Sequence, residues 1–365
     1  MRSLDFIVFG IGRSGTTALA KSLNMHPDIL CGIERFHYTT DPGSISFPDS
    51  FSNPAFKSHP KNLTRTLELM ASKGPDVAII GDKNPRYYCN IEAWQKFKPG
   101  LAKIAIYRSP YEYLASWKNR ADNPKDIWHP ELHGAFGIYE LFGMLRALLA
   151  HGDDTLVVPY DAFYFDNDQL VFDILKFAGA DTERFPYDEF RKKIFSRSSA
   201  PRSRPELANG VTKMLDVAKI DVIDKILLRD GAYRIGDVRS EIEAWMLSIP
   251  AQLSDLAEKS LLERDSKALH KLLLFWVRHF PLIEMMPNAG AIPPTFRLYH
   301  DLLYTTGRSR WAAVAALARR TRTNPLKFMV MARGRMAAGN LAASRSATKQ
   351  AIVSVVKALQ AKSGG

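Results

Sequence analysis

The chain has 365 residues, 46% of them hydrophobic and 24% charged, with a formal charge of +12. That length buries a substantial core as one large or two ordinary domains, and the composition excludes a largely disordered or fibrous chain. Two cysteines, Cys31 and Cys89, exclude a disulfide framework and have no zinc spacing, so buried thiols in a reducing compartment are expected.

Charge and hydropathy are unevenly placed. After Asp301 no acidic residue occurs, while the Lys and Arg from Arg308 to Lys362 carry the whole +12 charge; the rest of the chain is balanced. No apolar run approaches the roughly 18–20 residues of a membrane-spanning helix. The first strand begins by Asp5, which leaves no room for a signal peptide. A cytoplasmic protein is expected.

In chain order, Asp5-Phe-Ile-Val-Phe is an apolar, β-branched and aromatic run that reads as a strand. Gly10, Gly12 and Gly15 break it, and a helix-compatible segment runs on to Met25. Strand, glycine loop and helix together form an anion cradle, because free N–H groups and the positive end of the helix dipole face one point. The triphosphatase form of such a loop ends in Gly-Lys-Ser/Thr; here Gly10 and Gly15 keep the glycine spacing, but Thr16 stands in the lysine slot and the cation is Arg13. Without that lysine, chemistry on a γ-phosphate loses a main charge stabiliser.

Ile29–Ile33 reads as a short strand ending at Glu34, and residues 35–60, rich in aromatics and chain breakers, as a loop on the acceptor side of a site. A helix around Leu63 to Ser72 precedes a buried strand that ends at Asp82-Lys83, and a helix through Trp94 precedes the strand Ala102 to Arg108. Ser109-Pro110-Tyr111-Glu112 then has the capping-box pattern of a helix that carries Ser116. A helix fits Glu131 to Leu149, and Thr155 to Pro159 is a further strand, followed by Tyr160-Asp161-Ala162-Phe163. Strands alternating with helices imply an α/β fold with a parallel sheet flanked by helices. Ligands of such sheets sit outside the carboxyl ends of the strands, which gathers Arg13, Lys83 and Arg108 at one edge.

From Glu206 to about Tyr304 the pattern is mainly helical, with Met214, Val217, Ile220, Ile223 and Leu227 at core spacing. The expected organisation is an α/β core over 1–205, a helical extension over 206–304 and a basic amphipathic tail over 305–365. The tail is suited to an anionic membrane surface or to packing on the protein itself. It has little of the aromatic interleaving that nucleic-acid stacking needs, so no nucleic-acid partner is expected.

The glycine loop and several later strand ends resemble those of a known family. Gly10 to Ile29 reads GIGRSGTTALAKSLNMHPDI, which is similar to the phosphosulfate loop of sulfotransferases that use 3′-phosphoadenosine 5′-phosphosulfate (PAPS), with Gly12 where proline is common. Leu30-Cys-Gly-Ile-Glu34 looks most like the tyrosylprotein sulfotransferases, whose base glutamate stands at the same separation, 21 residues, from the loop arginine. Gly-Asp-Lys83-Asn-Pro resembles the family's lysine segment, and Arg108 with Ser116, eight residues on, resembles its pair for the donor's 3′-phosphate. Thr155 to Phe163 resembles the strand before the family's Tyr-Glu turn, with Asp161 for the glutamate. The likeness covers roughly the first half of the chain.

The resemblance implies a sulfotransferase in which Gly12, Arg13, Ser14, Gly15, Thr16 and Thr17 hold the donor's 5′ end and Arg108 and Ser116 its 3′-phosphate. It makes Glu34 the base, with Arg13 and Lys83 as the charge stabilisers. The transferred group carries less charge than a γ-phosphate, so no metal is required. The expected acceptor is a hydroxyl or amine of a glycan or glycolipid, and a peptide tyrosine also suits a glutamate base. The alternatives are a P-loop-type small-molecule kinase, for which Asp82 is the obvious magnesium ligand, and a non-catalytic nucleotide-binding protein. For Glu34 the other role is a surface ion pair with Arg35, and His37 is the competing base. Arg197, Ser198, Ser199 and Arg202 are further donor candidates, and His129 with His133 lacks a third ligand for zinc.

Overall fold

The computed structural model describes residues 2–56, 60–74, 77–121, 123, 135–164, 168–195, 207–262, 294 and 316. The chain divides into two units, and the described residues up to Leu262 all belong to the first. The basic tail other than Ala316, the histidines at 129 and 133, and the candidates at 197–202 lie outside the described residues.

The elements run β1 (Phe6–Gly10), α1 (Thr16–Leu23), β2 (Ile29–Ile33), α2 (Asp49–Ser52), α3 (Pro60–Lys73), β3 (Ile79–Lys83), α4 (Ile91–Phe97), β4 (Ala102–Tyr107), α5 (Pro110–Ala121), α6 (Ala135–His151) and β5 (Leu156–Pro159). After them come α7 (Tyr160–Tyr164), α8 (Asp168–Phe177), α9 (Tyr187–Phe195), α10 (Asn209–Val217), α11 (Ile220–Leu227), β6 (Tyr233–Arg234), α12 (Arg239–Leu247) and α13 (Gln252–Leu262). The six strands form one sheet in the order β2-β3-β1-β4-β5-β6, parallel except for β6, which runs antiparallel to β5.

Parallel strands covered on both faces are apolar without alternation, and the five residues of β1, Phe-Ile-Val-Phe-Gly, are all buried. One alternating set, Phe6 and Val8 with Ile104, Ile106, Leu156 and Val158, packs with Leu19 and Leu23 of α1 and the apolar residues of α8. The opposite set, Ile7, Phe9, Ala105, Tyr107 and Val157, is buried too. In α1 the buried residues Thr16, Leu19, Ala20 and Leu23 follow the i, i+3, i+4, i+7 stripe, and each buried leucine contributes about 1.5–3 kcal/mol relative to exposure.

Among the described residues β2 is the edge strand, with a row of backbone groups that no described strand pairs. Asn24, just past α1, covers part of it: its side-chain amide donates to Cys31 O and its side-chain oxygen accepts from Cys31 N–H, both at 2.8 Å. The edge, buried along its whole length, is thereby closed to further pairing at its middle residue.

The region from 206 onward adds to this sheet as well as to its helices. β6, only two residues long, pairs Tyr233 with Val157 and Arg234 with Leu156. The apolar run from Met214 to Leu227 is core, as its spacing predicts, but it is two helices rather than one: Lys219 adopts φ 53° and breaks the path between α10 and α11. Among the described residues, no helix is long and apolar enough to cross a membrane.

Candidate functional site

Five parallel strands end on one edge, and the residues that leave them line a cavity of about 490 Å³. The loop after β1 contributes Gly12, Arg13 and Gly15 and the start of α1 contributes Thr16, Thr17 and Ala18, with Lys21 a turn later. Glu34 follows β2, Lys83 and Pro85 come from the end of β3, Arg108 follows β4 and Tyr160 follows β5; Arg120 reaches in from α5. Sheet order explains the location: the chain leaves β1 toward β2 on one side and leaves β4 toward β5 on the other, so a crevice opens between adjacent strands. Among the described residues, five cations and one carboxylate line it, a setting for a polyanion.

The loop is held from behind. Trp117 Nε1 donates to Gly12 O at 2.8 Å, and Arg108 Nη1 donates to Arg13 O at 3.1 Å. With those carbonyls occupied, the loop keeps its turn while the first amides of α1, which have no acceptor within the helix, face the cavity. Gly15 sits at φ 100°, and a Cβ there would meet the Tyr160 ring at 2.7 Å, so both conformation and space demand glycine. Arg13 is at φ 75° without being glycine, a strained conformation that turns its side chain so that Nε donates to Ser116 Oγ at 3.0 Å.

Arg108 is fixed on three sides. Its Nε donates to Glu112 Oε2 at 2.7 Å, its Nη1 holds the loop, and its guanidinium lies 4.3 Å from the centre of the Tyr160 ring. Glu112, the glutamate of the expected capping box, thus reaches back to the strand end.

The second αL residue of the site is Glu34, at φ 54°. Its N–H donates to Lys83 O, and its carboxylate meets Lys83 Nζ at 2.6 Å. The lysine side chain is 1% exposed and the glutamate 44%, so a deeply placed ammonium ends on a carboxylate that a solute can reach. Beneath this turn lies Asp82, fully buried, accepting from Arg35 N–H at 3.1 Å, Phe36 N–H at 3.5 Å and the Tyr87 hydroxyl. Gly32 makes room for it, since a side chain there would overlap Asp82 Oδ1. Burial pushes the Asp82 carboxyl up to about 7, against the opposing pull of those hydrogen bonds and of Lys83.

Several expectations change in detail. Arg35 does not pair with Glu34; it is buried, donates to the carbonyls of Ser50, Phe51, Asn53 and Phe56, and so fastens the 42–56 segment. His37 is not among the lining residues, and its Nδ1 is occupied by Thr39 N–H and hydroxyl. Asp82 is committed to the turn rather than to a metal. Ser14 and Ser116 do not line the cavity: Ser116 carries Arg13 instead of joining Arg108, and the buried Ser14 hydroxyl has no partner among the described residues. The loop glycines and threonines, Arg13, Glu34, Lys83 and Arg108 come together as expected. Sequence reasoning missed Arg120, Tyr160 and Lys21. Arg120 lies four residues after Ser116, one helical turn along the same face, which is the signal that identifies it.

No family model and no curated protein matches this chain. Among solved structures, it is similar to a sulfotransferase from Alicyclobacillus acidocaldarius, at 16% identity and TM-score 0.38, over 63% of this chain and 98% of that one. It is also similar to sulfotransferase STF9 from Mycobacterium avium, at 15% identity and TM-score 0.35, over 55% of this chain and 69% of that one.

Proposed function

We propose that the protein transfers a sulfuryl group from PAPS to an acceptor hydroxyl or amine, with glycans and glycolipids the first acceptors to screen. The observation that carries this reading is the 2.6 Å pair of Lys83 and Glu34 in a cavity whose other lining, among the described residues, is cations, loop amides and hydroxyls, one proline, one alanine and one aromatic ring. A phosphate-binding loop without a lysine in its last turn, facing a lone accessible carboxylate, suits transfer to a nucleophile that must lose a proton.

The residues present fit the donor. The glycine loop leaves space at Gly15 that any Cβ would fill, and Arg108 and Arg120 line the side of the cavity next to α5. Bound there, PAPS supplies the activated sulfuryl group. Gly12 to Thr17 hold its 5′ end through amides and the hydroxyls of Thr16 and Thr17, and Arg108 holds the 3′-phosphate, with Arg120 in place of Ser116 as its neighbour. Glu34 takes the acceptor proton at its carboxylate. Lys83 and Arg13 stabilise the negative charge that develops during transfer, an effect that is large when the cations are fixed in advance.

The test is ligand selectivity. By calorimetry, 3′-phosphoadenosine 5′-phosphate should bind more tightly than adenosine 5′-phosphate or ATP, and Arg108→Ala should remove the difference, since charge-assisted hydrogen bonds contribute about 1.5–3 kcal/mol each. Equal affinity for the three nucleotides overturns the reading; radiolabelled donor with an acceptor panel then identifies the acceptor.

A further inference from the structure

α11 carries a carboxylate in the wrong place for a surface helix. Ile220, Ile223, Ile226 and Leu227 are its buried residues, and Asp224 lies four residues after Ile220, within that apolar stripe. A charge placed there needs partners to offset its desolvation. It has two: the Tyr107 hydroxyl donates to Oδ1 at 2.6 Å and the Ser109 hydroxyl donates to Oδ2 at 2.7 Å.

Those two residues flank Arg108. Tyr107 is the last residue of β4, and Ser109 stands directly before Pro110, the first residue of α5. One carboxylate therefore clamps the chain on both sides of the arginine. Glu112, the Arg13 carbonyl and the Tyr160 ring fix the side chain itself. Burial pushes the Asp224 carboxyl up to about 6, with Asp221 and Glu112 adding to the rise and both hydroxyls working the other way; both of its oxygens accept.

We propose that Asp224 is a positioning residue for the donor site, through which the helical region sets the grip of Arg108 on the donor's 3′-phosphate. The inference rests on the reading of Arg108 as the 3′-phosphate ligand and gives the chain beyond 206 a part in that site. Two readings of Asp224 compete with it and differ in sign. As a charge alone, it would repel an anionic ligand, and its removal would tighten binding of every nucleotide. As a packing element alone, its loss would weaken every nucleotide alike.

The experiment measures the affinity ratio of 3′-phosphoadenosine 5′-phosphate to adenosine 5′-phosphate by calorimetry, with thermal melts of each variant. Asp224→Ala should lower that ratio about tenfold while adenosine 5′-phosphate affinity holds. Asp224→Asn, whose amide still accepts from one hydroxyl and donates to the other, should keep most of the ratio. Should Asp224→Ala melt too early to measure, Ser109→Ala gives the same readout, with a loss of about threefold. An unchanged ratio in Asp224→Ala, or in Ser109→Ala where that variant is the readout, overturns the inference; so does an equal loss for both nucleotides, or tighter binding of both in Asp224→Ala and Asp224→Asn. A wild-type protein with no preference for the 3′-phosphorylated nucleotide overturns the donor reading itself, and the positioning role with it.

Discussion

The loop after β1 and the turn after β2 hold the two sides of the site in different ways: one leaves amides open, the other closes both halves of its peptide groups. In the loop, outside donors occupy carbonyls, Trp117 on Gly12 and Arg108 on Arg13, and the helix-start amides are left for a ligand. In the turn, both halves of the peptide group are occupied: Lys83 O takes the Glu34 N–H, Asp82 takes those of Arg35 and Phe36, and the Asn62 and Asn84 amides donate to Glu34 O and Phe36 O. Each turn carries a non-glycine residue at positive φ, Arg13 in one and Glu34 in the other. The same backbone strain thus presents a cation beside an anion cradle and a carboxylate beside a buried lysine. On the proposed reading, the difference makes donor binding and proton removal separable, and the predictions test that separation.

The largest effect is expected at the turn. Glu34→Gln keeps a hydrogen-bonding partner for the buried Lys83 ammonium and removes the base, so turnover should fall about 10²–10⁴-fold with nucleotide affinity retained. Lys83→Ala should lose about 10²–10³ in turnover. Steady-state rates alongside nucleotide titrations check both; a Glu34→Gln variant with near-wild-type turnover would return the base role to His37 or to the acceptor.

Next in size is a pH effect at Asp82, which adds to a smaller one of the same sign at Asp224. Its folded carboxyl titrates at about 7, above the ordinary aspartate value of 3.8. A raised acid favours the protonated form on folding, so its contribution to stability is full below about pH 4 and is lost as pH rises through 7. Asp82→Asn, which does not titrate, should lack the Asp82 share of that decline and keep the part that ends near pH 6. Urea unfolding from pH 4.5 to 8 measures it, and parallel curves for the two proteins would refute the assignment. Nucleotide affinity should follow the loop and not this titration.

The two units were unequally legible in the sequence. The glycine loop announces itself, because Gly10, Gly15 and the strand before them have few other uses at that spacing, and alternating strands and helices yield the parallel sheet. Glu34 and Lys83 stand out at strand ends, but their 2.6 Å pairing depends on β2 lying beside β3, a register no local pattern encodes. Arg35 reads as a surface partner for Glu34 because arginine is rarely fully buried; only the fold supplies the four carbonyls that make burial tolerable. Two-residue β6 and the break at Lys219 lie below what periodicity resolves. Asp224 is visible as a charge in an apolar stripe, yet its partners lie more than a hundred residues earlier.

The smallest effects sharpen the comparison most, because they remove one hydrogen bond from each unit. Trp117→Phe keeps a buried aromatic ring beside Tyr113, whose centroid is 5.6 Å away, and deletes the donor to Gly12 O together with part of the buried indole. A single hydrogen bond contributes about 0.5–1.5 kcal/mol, so affinity for 3′-phosphoadenosine 5′-phosphate should fall about three- to tenfold as the loop loses its rear support. Turnover at saturating donor should change little. Tyr87→Phe deletes the hydroxyl that donates to Asp82 and leaves the loop untouched; it should spare nucleotide affinity and lower turnover by a similar factor, through a less firmly held Glu34 turn. Crossing the two measurements decides the matter: if Tyr87→Phe weakens nucleotide binding as much as Trp117→Phe does, the loop and the turn act as one unit and the separation drawn from their different supports is wrong.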